Sequence, residues 1–234
     1  MSTAGRSHPK SESPAAHVNW LELNRSPHAV HFFSSEGFLI DSLGRFVGAA
    51  LEAGDSSFVF ATRAHLDGLA EQLKKTGVDT DKAIRKGRYL TFDAVQALGQ
   101  LTVAGKLDKT RFDDFVSRVV LPLKAAAESK AQRVAGCGEI VALLWAEGKA
   151  EAAIELEHLW NELAKQGSFS FRCFYPVASF SDPGQSELFM RLCSEHASVI
   201  PGESDPAPSA EREQERLRRL PARVTQFETP GMVA

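Results

Sequence analysis

Short apolar runs alternate with amphipathic stretches through most of the chain between residues 27 and 200. The runs are rich in aromatic and β-branched side chains and are bounded by turn residues, a pattern typical of buried β-strands. The predicted strands are His28–Phe33, Ser57–Ala61, Arg88–Phe92, Gln132–Cys137 and Ser168–Tyr175.

The stretches between these runs carry apolar residues at intervals of three and four, which predicts helices with one buried face. Asp93 and Thr110 are placed to cap two of the helices, and Pro122 is expected to kink the second of these. The predicted helices are Gly37–Ala53, Arg63–Thr76, Asp93–Val103, Thr110–Glu128, Glu139–Ala146, Lys149–Lys165 and Gly184–His196.

Strands that alternate with helices indicate a mostly parallel sheet covered on both faces. We therefore expect a three-layer αβα domain with about five strands over residues 27–200. Residues 1–26 and 201–234 are rich in Ser, Pro and charge, and are predicted to be flexible segments, the second of them charged. No apolar run is long enough to span a membrane or to form a secretory leader, so a cytoplasmic location is expected.

Charge and ligand spacing narrow the function classes. A net charge of −3 gives no electrostatic reason to expect nucleic-acid binding. The three cysteines form no CxxC pair and are expected to be reduced thiols. His28 and His31 lie three apart on a strand and so face opposite sides. The remaining candidates are scattered, and no metal site is expected; they are His65, His158 and His196.

The turn after the first predicted strand lacks a phosphate-binding loop. A P-loop reads GxxxxGK[ST], whereas this turn reads FFSSEGFLIDS, with one glycine, no lysine and the acidic Glu36. The Gly-Lys pairs at 105–106 and 148–149 also lack the motif, and neither GxGxxG nor GxSxG occurs. We therefore expect neither an enzyme nor a bound cofactor.

Ligands of parallel α/β sheets bind beyond the carboxyl ends of the strands. Ser34, Arg63, Glu139 and Tyr175 lie at such ends. Glu139 is either a polar group of a pocket or a carboxylate that favours a helix dipole, and Tyr175 either covers a pocket or caps the sheet. Glu157 is interpreted as a solvated or internally paired helix carboxylate.

Two buried positions have simple structural interpretations. Trp160 is interpreted as a core residue, because it falls within the apolar stripe of its helix. Cys173 lies in a predicted buried strand and is interpreted as a small packed side chain.

Three blocks resemble one family in this order and spacing. They are GE-x-V-x-L-L-W at 138–145, LE-x-L-W-N at 156–161 and C-x-Y-P at 173–176. With the strand–helix succession from about residue 28 to 200, they resemble the MEDS domain, the methanogen/methylotroph, DcmR sensory domain. The motif positions include His31, Glu139, Trp160, Cys173 and Tyr175. The chain departs from the family at Gly136 and Cys137, where a bulkier aromatic residue is more frequent.

The resemblance implies a RecA/KaiC-like P-loop fold without its nucleotide loop. It also implies sensing of small molecules, notably hydrocarbon derivatives, in proteins that carry DNA-binding, histidine kinase or PAS modules. No helix-turn-helix or kinase block is found beside the domain, so the output partner is expected to be a separate histidine kinase or transcription regulator. A homodimer through a helix face is weakly favoured.

Three interpretations follow. The first is a non-enzymatic sensory module that binds a small molecule near the strand ends. The second is a scaffold that binds partners but no small ligand, and the third is a residual nucleotide-binding protein. The candidate ligand-binding residues under the first are His31, Ser34, Arg63, Glu139, Trp160, Cys173 and Tyr175.

Overall fold

A computed structural model describes residues 26–200. They form a central sheet of six parallel strands and a small antiparallel hairpin, which is built from β4 and β5. In chain order the strands are β1 (His28–Phe33), β2 (Ser56–Ala61), β3 (Tyr89–Asp93), β4 (Thr102–Val103), β5 (Lys106–Leu107), β6 (Val134–Gly138), β7 (Phe169–Pro176) and β8 (Ser198–Ile200).

Helices connect the strands. They are α1 (Glu36–Glu52), α2 (Arg63–Lys75), α3 (Thr80–Arg85), α4 (Ala94–Leu101), α5 (Lys109–Phe115), α6 (Leu121–Ala126), α7 (Ile140–Ala146), α8 (Ala150–Ala164) and α9 (Ser186–Ser194). A π-helical segment, Val116–Val120, joins α5 to α6, and two 3₁₀ turns, Val177–Phe180 and Pro183–Gln185, precede α9.

The strand order is β3-β2-β6-β7-β1-β8. Helices α1, α2 and α3 cover one face of the sheet, and α4 to α9 cover the other. Because β1, β2, β6 and β7 are flanked on both sides and covered on both faces, their side chains are almost entirely buried. The three-layer αβα architecture is confirmed.

The two faces carry different cores. The face under α1–α3 is mainly aliphatic, whereas the face under α4–α9 is aromatic. Trp160 of α8 is fully buried there and stacks on Phe171 of β7, with ring centroids 4.3 Å apart and planes inclined by 6°. A Cβ atom on Gly136 would lie 2.5 Å from the ring of Phe58 and 2.6 Å from that of Phe171. The aromatic layer therefore requires glycine at this position.

The predicted strands and helices are confirmed with shifts of at most two residues at their ends, with one exception. The single helix predicted for residues 110–128 is wrong, because the π segment divides it. Asp108, rather than Thr110, caps its first part by accepting a hydrogen bond from the Arg111 amide at 3.0 Å. Pro122 lies at the second position of α6, directly after the π segment, where its missing N–H interrupts the helical hydrogen bonds.

Three elements were not predicted: α3, the β4–β5 hairpin and β8, which makes the sheet six-stranded rather than five-stranded. Within residues 26–200, no helix is both long enough and apolar enough to span a membrane. Apart from Ser26, the segments predicted to be flexible lie outside the described residues.

Candidate functional site

A fully buried carboxylate, Glu157, is the centre of a group of polar side chains. It lies on the face of α8 that packs against the sheet, one turn before Trp160. A buried charge is costly unless hydrogen bonds and opposite charges compensate for it. Four side chains from β7, β1 and the α9–β8 connection supply that compensation.

Two partners come from β7. Cys173 and Tyr175 are two residues apart on the strand, so both side chains face α8. The Tyr175 hydroxyl donates to Glu157 Oε1 at 2.7 Å, and the Cys173 thiol donates to Glu157 Oε2 at 2.8 Å. Each carboxylate oxygen of Glu157 therefore has a donor from the sheet.

Two histidines complete the group. The Nε2 atom of His28, at the start of β1, lies 3.1 Å from Glu157 Oε2, and Nε2 of His196, between α9 and β8, lies 3.4 Å from the same oxygen. The two rings are in contact, with centroids 4.3 Å apart and planes inclined by 35°. We refer to Glu157, Cys173, Tyr175, His28 and His196 as the Glu157 cluster.

Electrostatics within the Glu157 cluster favour the carboxylate. Burial by itself would raise the pKa of Glu157, but His196 and His28 outweigh that effect and hold the pKa well below its usual range. Burial, followed by the charge of Glu157, raises the pKa values of Cys173 and Tyr175 well above their usual values. The thiol and the phenol are therefore proton donors to a charged acceptor at neutral pH.

A second carboxylate–histidine pair lies at the carboxyl edge of the sheet. Glu139 follows β6, and its Oε2 atom lies 2.7 Å from His65 Nδ1 and 3.4 Å from the Thr62 amide, both beyond the end of β2. The turn depends on Gly138, because a Cβ atom there would lie 1.9 Å from the carbonyl oxygen of Phe60. Glu139 therefore joins the ends of two neighbouring strands and makes no capping hydrogen bond to its own helix.

The turn after β1 leads directly into a helix. Ser35 caps α1 by accepting a hydrogen bond from the Phe38 amide at 3.3 Å, and Glu36 places an acidic side chain in the first turn. This arrangement uses one of the free amides that would face a phosphate at a helix N-terminus and adds a negative charge beside them. Ser34 is exposed in this turn.

His31 lies on the α1–α3 face, opposite His28, as predicted for residues three apart on a strand. Burial and, to a smaller extent, the charge of Arg172 lower its pKa to about 3, so the ring is neutral at ordinary pH. Burial also lowers the pKa of Arg172 to about 10, and its guanidinium lies 4.7 Å from the centre of the Phe46 ring.

A cleft of about 600 Å³ opens over the aromatic core beside the π segment. Its floor consists of Phe60 and Phe92, the penultimate residues of β2 and β3, and of Phe115 at the end of α5. Ala97 of α4 lines one side. The rim carries charged groups from the α5 and π segments, namely Arg111, Asp114 and Arg118.

The structure places the sequence-predicted ligand residues in separate parts of the domain. Cys173 and Tyr175 meet at Glu157, and Trp160 is a core residue, as expected. Glu139 lies at the strand edge and His31 on the opposite face. Ser34 is exposed, as is Arg63, whose side chain is 80% exposed and pairs with Asp67. The seven residues therefore do not line one cavity.

The sequence-based interpretation of the histidines needs one correction. His196 is not isolated, because its ring contacts that of His28 beside Glu157. Of the two interpretations of Glu157, solvated or internally paired, the second is correct, because the side chain has no solvent exposure. Cys173 is a hydrogen-bond donor and more than a packed apolar side chain, and Tyr175 is fully buried, so it does not cover an open pocket.

Comparison with known families decides the relationship. The family model of the MEDS domain, "MEthanogen/methylotroph, DcmR Sensory domain", matches residues 27–190. The chain belongs to the MEDS family. It is thus a sensory-type domain, and the matched range contains the cleft and every member of the Glu157 cluster except His196. No curated protein matches the chain. The RecA/KaiC-like resemblance stays a prediction.

Proposed function

We propose that this MEDS domain is a non-enzymatic sensory module that binds a small molecule of hydrocarbon-derivative character and passes the bound state to a partner. The partner would be a histidine kinase or a transcription regulator. The observation that carries the proposal is the cleft over Phe60, Phe92 and Phe115, which combines an aromatic floor with a charged rim in a sensory-type domain.

The size and lining of the cleft suit such a ligand. Its volume of about 600 Å³ falls in the range typical of small-molecule sites. The three floor rings lie 5.3–5.8 Å from one another, and the partly exposed Phe92 and Phe115 pack on the fully buried Phe60. On the rim Arg118 donates to Asp114 at 2.6 Å, so a polar group of the ligand has both donors and acceptors within reach.

A second concavity, of about 630 Å³, is a weaker candidate. It lies between the β4–β5 hairpin and the start of α8, and none of its lining side chains is aromatic. Three of its charged lining groups, Lys106, Lys149 and Glu155, are exposed. This concavity therefore offers no ring on which an apolar ligand could stack.

The π segment beside the cleft offers a route for the signal. Segments of this kind are rare, are mostly a single turn long and are frequent at functional sites. Phe115 precedes Val116–Val120, and Val119 lines the cleft. A ligand that packs against both would favour one arrangement of α5, the π segment and α6 over others. Their exposed side is then the surface that a partner reads.

Trp160 provides a direct test. Its ring lies 6.1 Å from those of Phe60 and Phe115, directly behind the floor of the cleft. The experiment uses a variant in which Trp20 and Trp145 are replaced by phenylalanine, so that Trp160 is the only tryptophan. Small halogenated, hydroxylated and monocyclic aromatic hydrocarbons are screened against this variant by fluorescence and thermal shift. At least one compound should give a saturable signal and raise the melting temperature.

Two substitutions on α4 locate the binding. Ala97→Leu places a larger side chain in the cleft and should abolish both signals. Val95→Leu changes a side chain that is 63% exposed on the same helix and should leave both unchanged. The proposal is wrong if no compound of these classes binds, or if Ala97→Leu binds as well as the parent. Binding of ATP alone would favour the nucleotide interpretation instead.

A further inference from the structure

Four potential metal ligands converge at the Glu157 cluster. The side chains of His28, His196, Cys173 and Glu157 each offer one donor atom, and the four atoms lie within 4.8 Å of one another. The closest separations are 2.8 Å between Cys173 Sγ and Glu157 Oε2, and 3.1 Å between His28 Nε2 and Glu157 Oε2. Ligand atoms about 2.0–2.3 Å from a tetrahedral ion are separated by roughly 3.3–3.7 Å, so modest shifts would open the group around an ion.

The backbone fixes how the two histidines present themselves. His28 Nδ1 lies 3.1 Å from the carbonyl oxygen of Glu195, and His196 Nδ1 lies 2.9 Å from that of Leu192. A carbonyl oxygen only accepts hydrogen bonds, so each Nδ1 carries a proton. In the neutral rings, both Nε2 lone pairs then point towards the carboxylate. This is the orientation that backbone carbonyls impose on metal-binding histidines.

Without a cation this arrangement is poorly balanced. With both rings neutral, two lone pairs face the Glu157 carboxylate and are repelled by it. A proton on one ring pairs with the carboxylate but leaves the lone pair of the other ring facing it. A divalent ion that replaces the thiol proton balances the thiolate and the carboxylate, and accepts both lone pairs. The buried group then has no net charge.

Neighbouring groups hold the donor atoms of the Glu157 cluster in place. Tyr175 donates to Glu157 Oε1 at 2.7 Å, which leaves Oε2 directed towards the other three donor atoms. With the two backbone carbonyls, each nitrogen and carboxylate ligand therefore has an orienting partner. Such outer partners set the affinity of protein metal sites.

We propose that His28 Nε2, His196 Nε2, Cys173 Sγ and Glu157 Oε2 bind one tetrahedral transition-metal ion of the Zn²⁺ type. A mixed set of imidazole, thiolate and carboxylate with four protein ligands is the composition of a closed zinc site. Binding releases the thiol proton to solvent, and no electron is transferred. The ion ties α8, β1 and β7 to the α9–β8 connection. The site does not depend on a ligand in the aromatic cleft.

Cobalt and zinc titrations of the full chain test the site. After removal of bound metal with a chelator, Co²⁺ should bind with one equivalent per chain and produce both the visible bands of a tetrahedral ion and a thiolate-to-cobalt charge-transfer band. Zn²⁺ should displace it stoichiometrically and raise the melting temperature, because the metal binds the folded state.

Matched variants identify the ligands. Cys173→Ser should abolish the charge-transfer band, and His196→Gln should weaken binding more than about 100-fold, beyond the effect of losing an outer partner. His158→Gln, an exposed position next to Glu157 on α8, and Cys193→Ser, a cysteine outside the donor set, should bind as the parent does. Circular dichroism of each variant separates lost binding from lost folding.

The cobalt spectrum of the parent decides the question even if a variant fails to fold. Binding of less than one equivalent, or a spectrum without thiolate charge transfer, would overturn the proposal. Equal affinity in the parent and in folded Cys173→Ser or His196→Gln would do the same. Because these readouts do not involve the cleft, failure of the metal site and failure of small-molecule binding are distinguishable.

Discussion

The two faces of the sheet bury their polar groups in different ways. On the α4–α9 face, Glu157 gathers two histidines, a thiol and a phenol around one carboxylate. On the α1–α3 face, His31 and Arg172 lie among aromatic rings, and burial keeps the histidine neutral. The difference teaches that a buried histidine is informative only through its surroundings. Convergent donors indicate chemistry, whereas a ring stacked between apolar neighbours indicates packing.

Removing the charge at the centre of the Glu157 cluster should have the largest effect. Glu157→Gln leaves the two histidines without their counter-charge in a dry environment, and loss of one partner of a buried ion pair costs about 3–5 kcal/mol. Urea unfolding of the chelator-treated protein measures this effect. Glu155→Gln, on the exposed side of the same helix, is the control and should change stability by less than about 0.5 kcal/mol. Equal small effects would remove the distinction between the faces.

On the opposite face, His31 should make the free energy of unfolding depend on pH. The pKa of His31 is about 3 in the folded protein against 6.5 as its ordinary value, so between these values the unfolded chain binds a proton that the folded protein does not. Stability therefore falls as pH falls through this window, by about 2 kcal/mol from pH 7 to pH 5. His31→Phe should lose this part of the slope, whereas His158→Gln, at an exposed histidine, should keep it. Identical slopes in all three proteins would show that His31 does not cause the effect.

The smallest effect is expected at the edge between the two faces. Glu139→Gln weakens the contact with His65 but keeps an oxygen acceptor, and both side chains retain some solvent exposure. We expect a loss of about 1 kcal/mol in the free energy of unfolding, typical of one hydrogen bond. A loss as large as that of Glu157→Gln would mean that this pair, too, is a tightly coupled centre.

The sequence predicted the central strands well because their apolar runs are long and bounded by clear turns. It missed three short elements: β8 has three residues, α3 has six, and each strand of the hairpin has two. Elements of these lengths are too short to show a periodic pattern. The π segment was also missed, because nothing in Val116–Val120 distinguishes it from an ordinary helical turn. The position of Asp108, two residues before Thr110, was the available signal for the correct cap.

Part of the Glu157 cluster could have been predicted from the sequence. The alternation of Cys173 and Tyr175 places both on one face of a strand, and Glu157 falls on the buried stripe of its helix between Ala153 and Trp160. Those two signals together would have indicated a buried carboxylate against the sheet. His196 gave no local signal, because only the reversal of the chain between α9 and β8 brings it to His28.

The proposal of a sensory module depends most directly on where a ligand lies. A crystal structure of the domain with the strongest compound from the Trp160 fluorescence screen answers that question. We expect the compound to lie against Phe60, Phe92 and Phe115 beside the π segment, with any polar group at Arg111, Asp114 or Arg118. A compound bound elsewhere, with this cleft unchanged, would contradict the proposal.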